Sequence, residues 1–352
     1  MKSYSLNKPN YINAAVLFKK NKPLKILKLK IPKLKTGQVL IKLSYSGICR
    51  SQLMEIGGLR GKDPYLPHLL GHEGFGEVIE TGPKVKKVKV GQKVILSWIK
   101  GSGINAEGPL FKYKKKVISA GPITTFSDFS IISENRISVA PKLINPLEGV
   151  LFGCSIPTGA GMVFNELNMN QKSSVAIIGI GGIGLFSVLS SKIKKANKII
   201  AVDISDEKLK IAKKFGATHI INSTKENVVR RIKKITYDEM VDFSIDCAGK
   251  VNTIELAFNL IKNKGISIFA SHPEKNKNIS IDPFELIKGK IIKGSWGGQV
   301  NPDEDFIKFY RNFKKSKIDF KILTSNIYPF DNINKAIKDF NSGKVFRPII
   351  KF

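Results

Sequence analysis

Residues 174–184 read SVAIIGIGGIG. A short apolar run ends on Gly179, and Gly181, Gly182 and Gly184 follow within six positions. The wider stretch 173–191 carries no charge and has the length of a membrane span. The four glycines and the serines at both ends argue otherwise. They predict a buried strand, a tight turn and a buried helix. In such a turn Gly179 makes the bend, and Gly181, with Gly182 beside it, lets backbone approach a pyrophosphate. Gly184 lets the helix pack closely on the strand. The helix that follows offers free N–H groups and a positive dipole end to an anion. A bare GxGxxG is a weak signal, but here it lies between a strand and a helix. Asp203 closes the next strand, 19 positions past Gly184, where a carboxylate accepts from ribose hydroxyls. The alternative for Asp203 is a helix cap before ISDEKL.

Outward from this turn the pattern continues. KIIAVD, HIIN, VDFSIDC and GISIFA read as strands, with amphipathic segments such as SDEKLKIAKKFGA between them. That alternation predicts a doubly wound parallel sheet, and with it an α/β protein. Residues 1–150 are different. PLKILKLKIP, QVLIKLSYSG, FGEVIETG and QKVILSW alternate as strands do, punctuated by Gly and Pro. Residues 99–122 read as a long loop or small excursion, and a helical signal begins near Asn145. From about Gly297 helix and strand return, ending in RPIIKF, with no repeat and no low-complexity tail.

At 352 residues the chain predicts two domains. Its three cysteines, Cys49, Cys154 and Cys247, are too few and too far apart for a disulfide framework. This fits a reducing, cytoplasmic compartment. The segment MKSYSLNKPNYINAAVLFKK lacks the apolar core and cleavage site of a signal peptide. The net charge of +31 comes almost entirely from lysine spread along the chain, without aromatic-interleaved basic motifs. It is read as compositional, so neither nucleic acid nor a membrane is expected as a partner.

A second cluster is LLGHEGFGEV, residues 69–78, with His72 and Glu73 side by side in an apolar, glycine-rich setting. Left unpaired, both would be costly to bury. Cys49 lies 23 residues upstream in GICRSQ, and Cys154 follows Gly153 where the two patterns meet. Two thiolates and an imidazole match the three-ligand set of a catalytic zinc with one open position. Spacing alone leaves Cys154 equally readable as a small buried hydrophobe.

GICRS, GHEGFG, Gly153-Cys154, the GIGGIG turn with its following acid, and the ending SGKVFRPIIKF together resemble the zinc-dependent medium-chain dehydrogenase/reductase family, the alcohol and polyol dehydrogenases. The resemblance covers essentially the whole chain. It implies a GroES-like β-rich catalytic domain over 1–155, a Rossmann NAD-binding domain over 156–296, and a return to the catalytic domain over 297–352. It implies that Cys49, His72 and Cys154 bind one catalytic zinc, with the Glu73 carboxylate able to approach it. Arg50 and Arg347 would contact the cofactor pyrophosphate, and Ser51 would take the substrate proton. Thr158 would lie by the nicotinamide and Lys208 by the adenosine ribose. Trp98 falls where the family often has an aromatic pocket wall; an ordinary core tryptophan is the alternative. The implied activity is hydride transfer between NAD and a small-molecule alcohol, polyol or sugar-linked hydroxyl, in a homodimer or homotetramer.

The chain also departs from the family. The four closely spaced cysteines of a structural zinc lobe are missing from 98–126, so no second zinc is expected. Met54 replaces a relay histidine, and Gln52 stands where an aspartate often supports the metal. The missing relay histidine and structural lobe slightly favour a sugar or polyol substrate. Two rivals stay open: a zinc-independent enone or quinone reductase of the same superfamily, and a non-catalytic nucleotide-binding protein.

Overall fold

Ser174–Ile178 is an inner strand of a six-stranded, all-parallel sheet in the computed structural model, which describes residues 8–352. The first seven residues of the amino-terminal segment read above lie outside the described residues. The sheet order is His219–Asn222, Lys198–Asp203, Ser174–Ile178, Val241–Asp246, Ile261–Phe269 and Ile291–Gly294. Numbered along the chain this is 3-2-1-4-5-6, the doubly wound arrangement. Strand order reverses between Ser174–Ile178 and Val241–Asp246, whose carboxyl ends therefore border a crevice. Val175, Ala176 and Ile177 are fully buried, as a sheet covered on both faces requires. The uncharged stretch resolves into strand, turn and the helix Gly182–Ile193. Among the described residues no helix is long and apolar enough to cross a membrane.

The next helix, Asp206–Phe215, shows why its sequence folds locally. The Ser205 hydroxyl accepts from the Lys208 N–H. Asp206 and Glu207 open the helix and Lys213 and Lys214 close it, each sign suited to its end of the dipole. Ser205, and not Asp203, is therefore the cap.

The chain divides into two compact units. One holds Ser155–Val300 and Arg311–Ile318, with the parallel sheet. The other holds the described residues up to Cys154 together with Asn301–Tyr310 and Asp319–Phe352. This β-rich unit contains a five-stranded and a seven-stranded sheet. In the larger one Gln38–Gly47 pairs with Glu73–Thr81, Phe129–Ser133 and Ile349–Lys351, and Glu73–Thr81 also pairs with Lys93–Ser97. Its core includes Val39, Ile41, Val78, Val94, Leu96 and Ile132.

Two local readings change. Within the predicted loop 99–122, Leu110–Tyr113 and Lys116–Ser119 pair as a hairpin in the five-stranded sheet. Four lysines obscure its alternation, but Phe111 and Ile118 are both buried. The helical signal after Asn145 becomes Pro146–Leu151, capped by the Asn145 side chain, then a break, then Ser155–Gly161. The break falls at Phe152–Cys154 because Gly153 abuts a strand. A Cβ on Gly153 would sit 2.5 Å from both Glu73 Cβ and the Leu96 carbonyl oxygen.

The cysteine-free lobe is held by a carboxylate. Glu134, 2% exposed, accepts from the backbone N–H groups of Lys86, Lys87 and Ile104 at 2.6, 2.7 and 2.8 Å. Burial acts to raise the Glu134 pKa, but these three N–H groups bring it below the ordinary glutamate value. Replacing Glu134 by alanine is expected to cost about 3 kcal/mol, because buried donors lose a charged partner. A depressed folded pKa stabilises fully above the unfolded glutamate value, near ~4.3, and the contribution is lost as pH falls through the folded value. Thermal unfolding of both proteins from pH 7 down to pH 3 checks this. Equal midpoints at neutral pH would refute it.

Candidate metal centre and nucleotide turn

Four strand ends of the larger sheet build the site. Gln38–Gly47 ends two residues before Cys49. Glu73–Thr81 begins one residue after His72. Lys93–Ser97 ends beside Trp98, with Ser97 directly opposite Glu73. Ile349–Lys351 begins two residues after Arg347, with Ile349 opposite Gly47. The Ser97 hydroxyl then donates to the Gly153 carbonyl at 2.8 Å, tying the residue before Cys154 to the same sheet end. Gly47 and Gly153 are both needed here, since a Cβ on either would strike Glu73.

The register thus brings together Cys49, His72 and Cys154, whose donor atoms lie within 4.8 Å of one another. It is the one cluster of this kind among the described residues. The Cys154 thiol donates to the Cys49 sulfur at 3.9 Å. That bond holds Cys49 well below the ordinary thiol value against its burial, with His72 and Arg347 adding to the effect. The same bond, with burial, pushes Cys154 well above it. Burial by itself would lower the His72 pKa, but Cys49 and Glu73 raise it. His72 Nε2 is buried with no hydrogen-bond partner. Two sulfurs and an orphaned ring nitrogen are the donor set that zinc takes. The residues present fit the metal.

Glu73 is fully buried and ion-paired with Arg347, itself buried. Burial pushes the Glu73 pKa up and the Arg347 guanidinium opposes it. Glu73 Oε1 and Arg347 Nε have no hydrogen-bond partner. The reading of Arg347 as a phosphate contact missed this pair, since 274 positions separate the two residues. Trp98 packs edge-on to His72, with ring centroids 6.5 Å apart, so it stands beside the cluster and not in a remote core. Arg50, exposed, and Ser51 open the helix Arg50–Ile56. Ser51 Oγ lies 3.4 Å from His72 Nδ1. Gln52, also buried, touches both Cys49 and His72, a contact that the spacing alone did not reveal.

The other unit carries most of the residues expected to contact a nucleotide. Gly179 has φ +86°, a left-handed conformation that a side chain would strain. Around Gly181 a Cβ would meet nothing within 4 Å, so backbone faces open space at the start of the helix Gly182–Ile193. A Cβ on Gly184 would lie 2.2 Å from the Gly179 carbonyl oxygen. Asp203 is 8% exposed and accepts from the N–H of Ile180 at 2.7 Å and of Ser205 at 3.0 Å. Its carboxylate is thereby fixed against the turn. The open backbone and the fixed carboxylate fit a dinucleotide. Thr158 is buried in Ser155–Gly161, and Lys208 is half-buried on the helix after Asp203. Burial pushes the thiol pKa of Cys247 far up, with the neighbouring Asp246 adding to it.

A β-rich unit with a thiol–imidazole cluster that fits zinc and a doubly wound unit with a glycine turn that fits a dinucleotide match the design of a nucleotide-dependent metal oxidoreductase. Residues 35–142 match the alcohol dehydrogenase GroES-like domain and residues 182–315 the zinc-binding dehydrogenase domain. The chain is 29% identical to S-(hydroxymethyl)glutathione dehydrogenase of Escherichia coli, over 96% of this chain and 99% of the relative. Benzyl alcohol dehydrogenase of Acinetobacter calcoaceticus is 29% identical with TM-score 0.88, over 97% of this chain and 99% of that one. An alcohol dehydrogenase zinc-binding domain protein of Burkholderia ambifaria is 26% identical with TM-score 0.89, again over 97% and 99%. The chain belongs to the zinc-dependent medium-chain alcohol dehydrogenase family.

Proposed function

We propose that this protein oxidises an alcohol, or reduces the matching carbonyl, with NAD and one zinc per chain. The convergence of Cys49, His72 and Cys154 within 4.8 Å of one another carries this reading. Those three residues would hold the ion, which supplies Lewis-acid polarisation that makes an alcohol hydroxyl easier to deprotonate. The turn Gly179–Gly184 and Asp203 would hold NAD, which would supply the hydride acceptor.

The chain's own groups do the rest. Ser51 would accept the hydroxyl proton and pass its own to water, because Met54 cannot relay it. Glu73 keeps a negative charge beside the cluster, and Arg347 neutralises part of it. Arg50 and Arg347 are the residues assigned to the pyrophosphate, Thr158 to the nicotinamide and Lys208 to the adenosine ribose. Trp98, edge-on to His72, is assigned to the wall of the substrate pocket. Among alcohols the absent relay histidine favours a polyol or sugar-linked hydroxyl. A panel of such alcohols, benzyl alcohol and S-(hydroxymethyl)glutathione, followed by NADH absorbance with and without a chelator, tests the reading. No turnover on any, or turnover that ignores the chelator, would refute it.

The zinc count is a separate expectation. The stretch 99–122 contains no cysteine, and a carboxylate does the tying there. Elemental analysis of folded protein should give one zinc per chain, and two tightly held ions would be contrary. We also assign the protein to a reducing compartment and to a homodimer or homotetramer. The sheet edge Ile291–Gly294 supports assembly: Phe284, Ile287 and Trp296 near it are 57%, 78% and 79% exposed. Light scattering on purified protein measures the oligomer.

A further inference from the structure

We propose that Gln52 is a positioning residue that holds the zinc affinity of the cluster down, because it offers one acceptor to two donors. The inference rests on the metal reading above. Gln52 is 2% exposed in the first turn of the helix Arg50–Ile56. Its Oε1 accepts from the Cys49 N–H at 2.9 Å, and its Nε2 lies 2.6 Å from His72 Nδ1. An amide nitrogen only donates, so Nδ1 receives with its lone pair and a neutral ring carries its hydrogen on Nε2. Yet Nε2 is the buried nitrogen left for the metal. To bind there it must present a lone pair, which moves the hydrogen to Nδ1.

Both Cys49 N–H and His72 Nδ1–H then point at a single amide. If Oε1 stays on Cys49, the NH₂ group faces the ring N–H, donor against donor. If the amide turns over, the same clash falls on Cys49. The conflict therefore holds whichever way the amide lies. Ser51 Oγ, 3.4 Å from Nδ1, is at the outer limit of a bond. A carboxylate of the same length has acceptors for both donors and no hydrogens to oppose them. Zinc uptake thus satisfies the orphaned Nε2 but sets donor against donor at Gln52, a cost that a carboxylate there would not carry.

Equilibrium zinc competition with a chromophoric chelator tests this on wild type, Gln52→Glu and Gln52→Leu, each shown to be folded by circular dichroism. Partners of metal ligands typically shift affinity about 10- to 100-fold. Gln52→Glu should hold zinc at least tenfold tighter than wild type. Gln52→Leu removes the opposing N–H groups without adding charge, so it should bind within threefold of wild type or tighter. A gain below tenfold for the glutamate, or a loss beyond threefold for the leucine, overturns the inference. A residue that only caps the helix would move the melting temperature and leave zinc affinity alone. Cys49→Ser protein that takes up as much zinc as wild type would overturn the metal reading, and this inference with it.

Discussion

Cys49→Ser is expected to lower kcat/KM by on the order of a thousandfold or more while the protein stays folded. Losing the polarising ion removes several kcal/mol of transition-state stabilisation, and about 4 kcal/mol is roughly a thousandfold. The fold should survive for a local reason. Cys49 is the cap residue of the helix Arg50–Ile56, and serine is among the best residues for that position. Neither hydrophobic core depends on this side chain, since the β-rich core is Val39, Ile41, Val78 and their neighbours and the parallel sheet packs around Ala176, Ile200 and Ile245. What is lost is the thiolate, which the Cys154 hydrogen bond prepares at Cys49. A hydroxyl in its place stays protonated and binds the ion far more weakly. NADH absorbance, zinc content and thermal unfolding of the same preparation check this together. Near-normal turnover with zinc retained would mean that the ligand assignment is wrong.

Asp203→Ala is expected to cut the NAD-over-NADP preference in kcat/KM by about a hundredfold, equivalent to roughly 2.8 kcal/mol. The carboxylate would face the 2′-phosphate of NADP, and like charges set against each other in an interface cost several kcal/mol. The structure adds why it cannot swing away. Asp203 ends a buried strand, and its two oxygens are held by the N–H groups of Ile180 and Ser205. The lysine excess works in the opposite direction, but exposed lysines are mobile and screened. It should narrow the preference and not reverse it. Because Asp203 also ties the glycine turn, the variant should lose some affinity for both cofactors. The ratio of the two kcat/KM values isolates the charge effect from that loss. A wild-type enzyme faster with NADP, or an unchanged ratio in the variant, would sink the assignment.

The strand, glycine turn and helix at 174–193 were legible because their signals are local. Strand, glycines, helix and acid span 174–203, and each acts through neighbours a few positions away. The apolar runs that predicted the parallel sheet are local too, since a strand buried on both faces has to be apolar throughout. The hairpin at 110–119 was not legible, because lysines cover its exposed face and only Phe111 and Ile118 mark the inner one. The helical signal after Asn145 did not show its break, which a neighbouring strand imposes on Gly153.

By itself the sequence determined the two structural patterns, the candidate metal donors and the absence of cysteine from 99–122, since residue type and short-range spacing decide these. Tertiary structure alone decided how the donors meet and what surrounds them. Cys49, His72, Cys154 and Arg347 are brought to one place by the register of four strands, not by any periodicity of the chain. Tertiary contact likewise settles that Trp98 faces His72, that Arg347 pairs with Glu73, and that Gln52 lies between Cys49 and His72. Donor and acceptor counts in a buried site depend on which groups touch. Contact between residues hundreds of positions apart is a property of the sheet and not of the string.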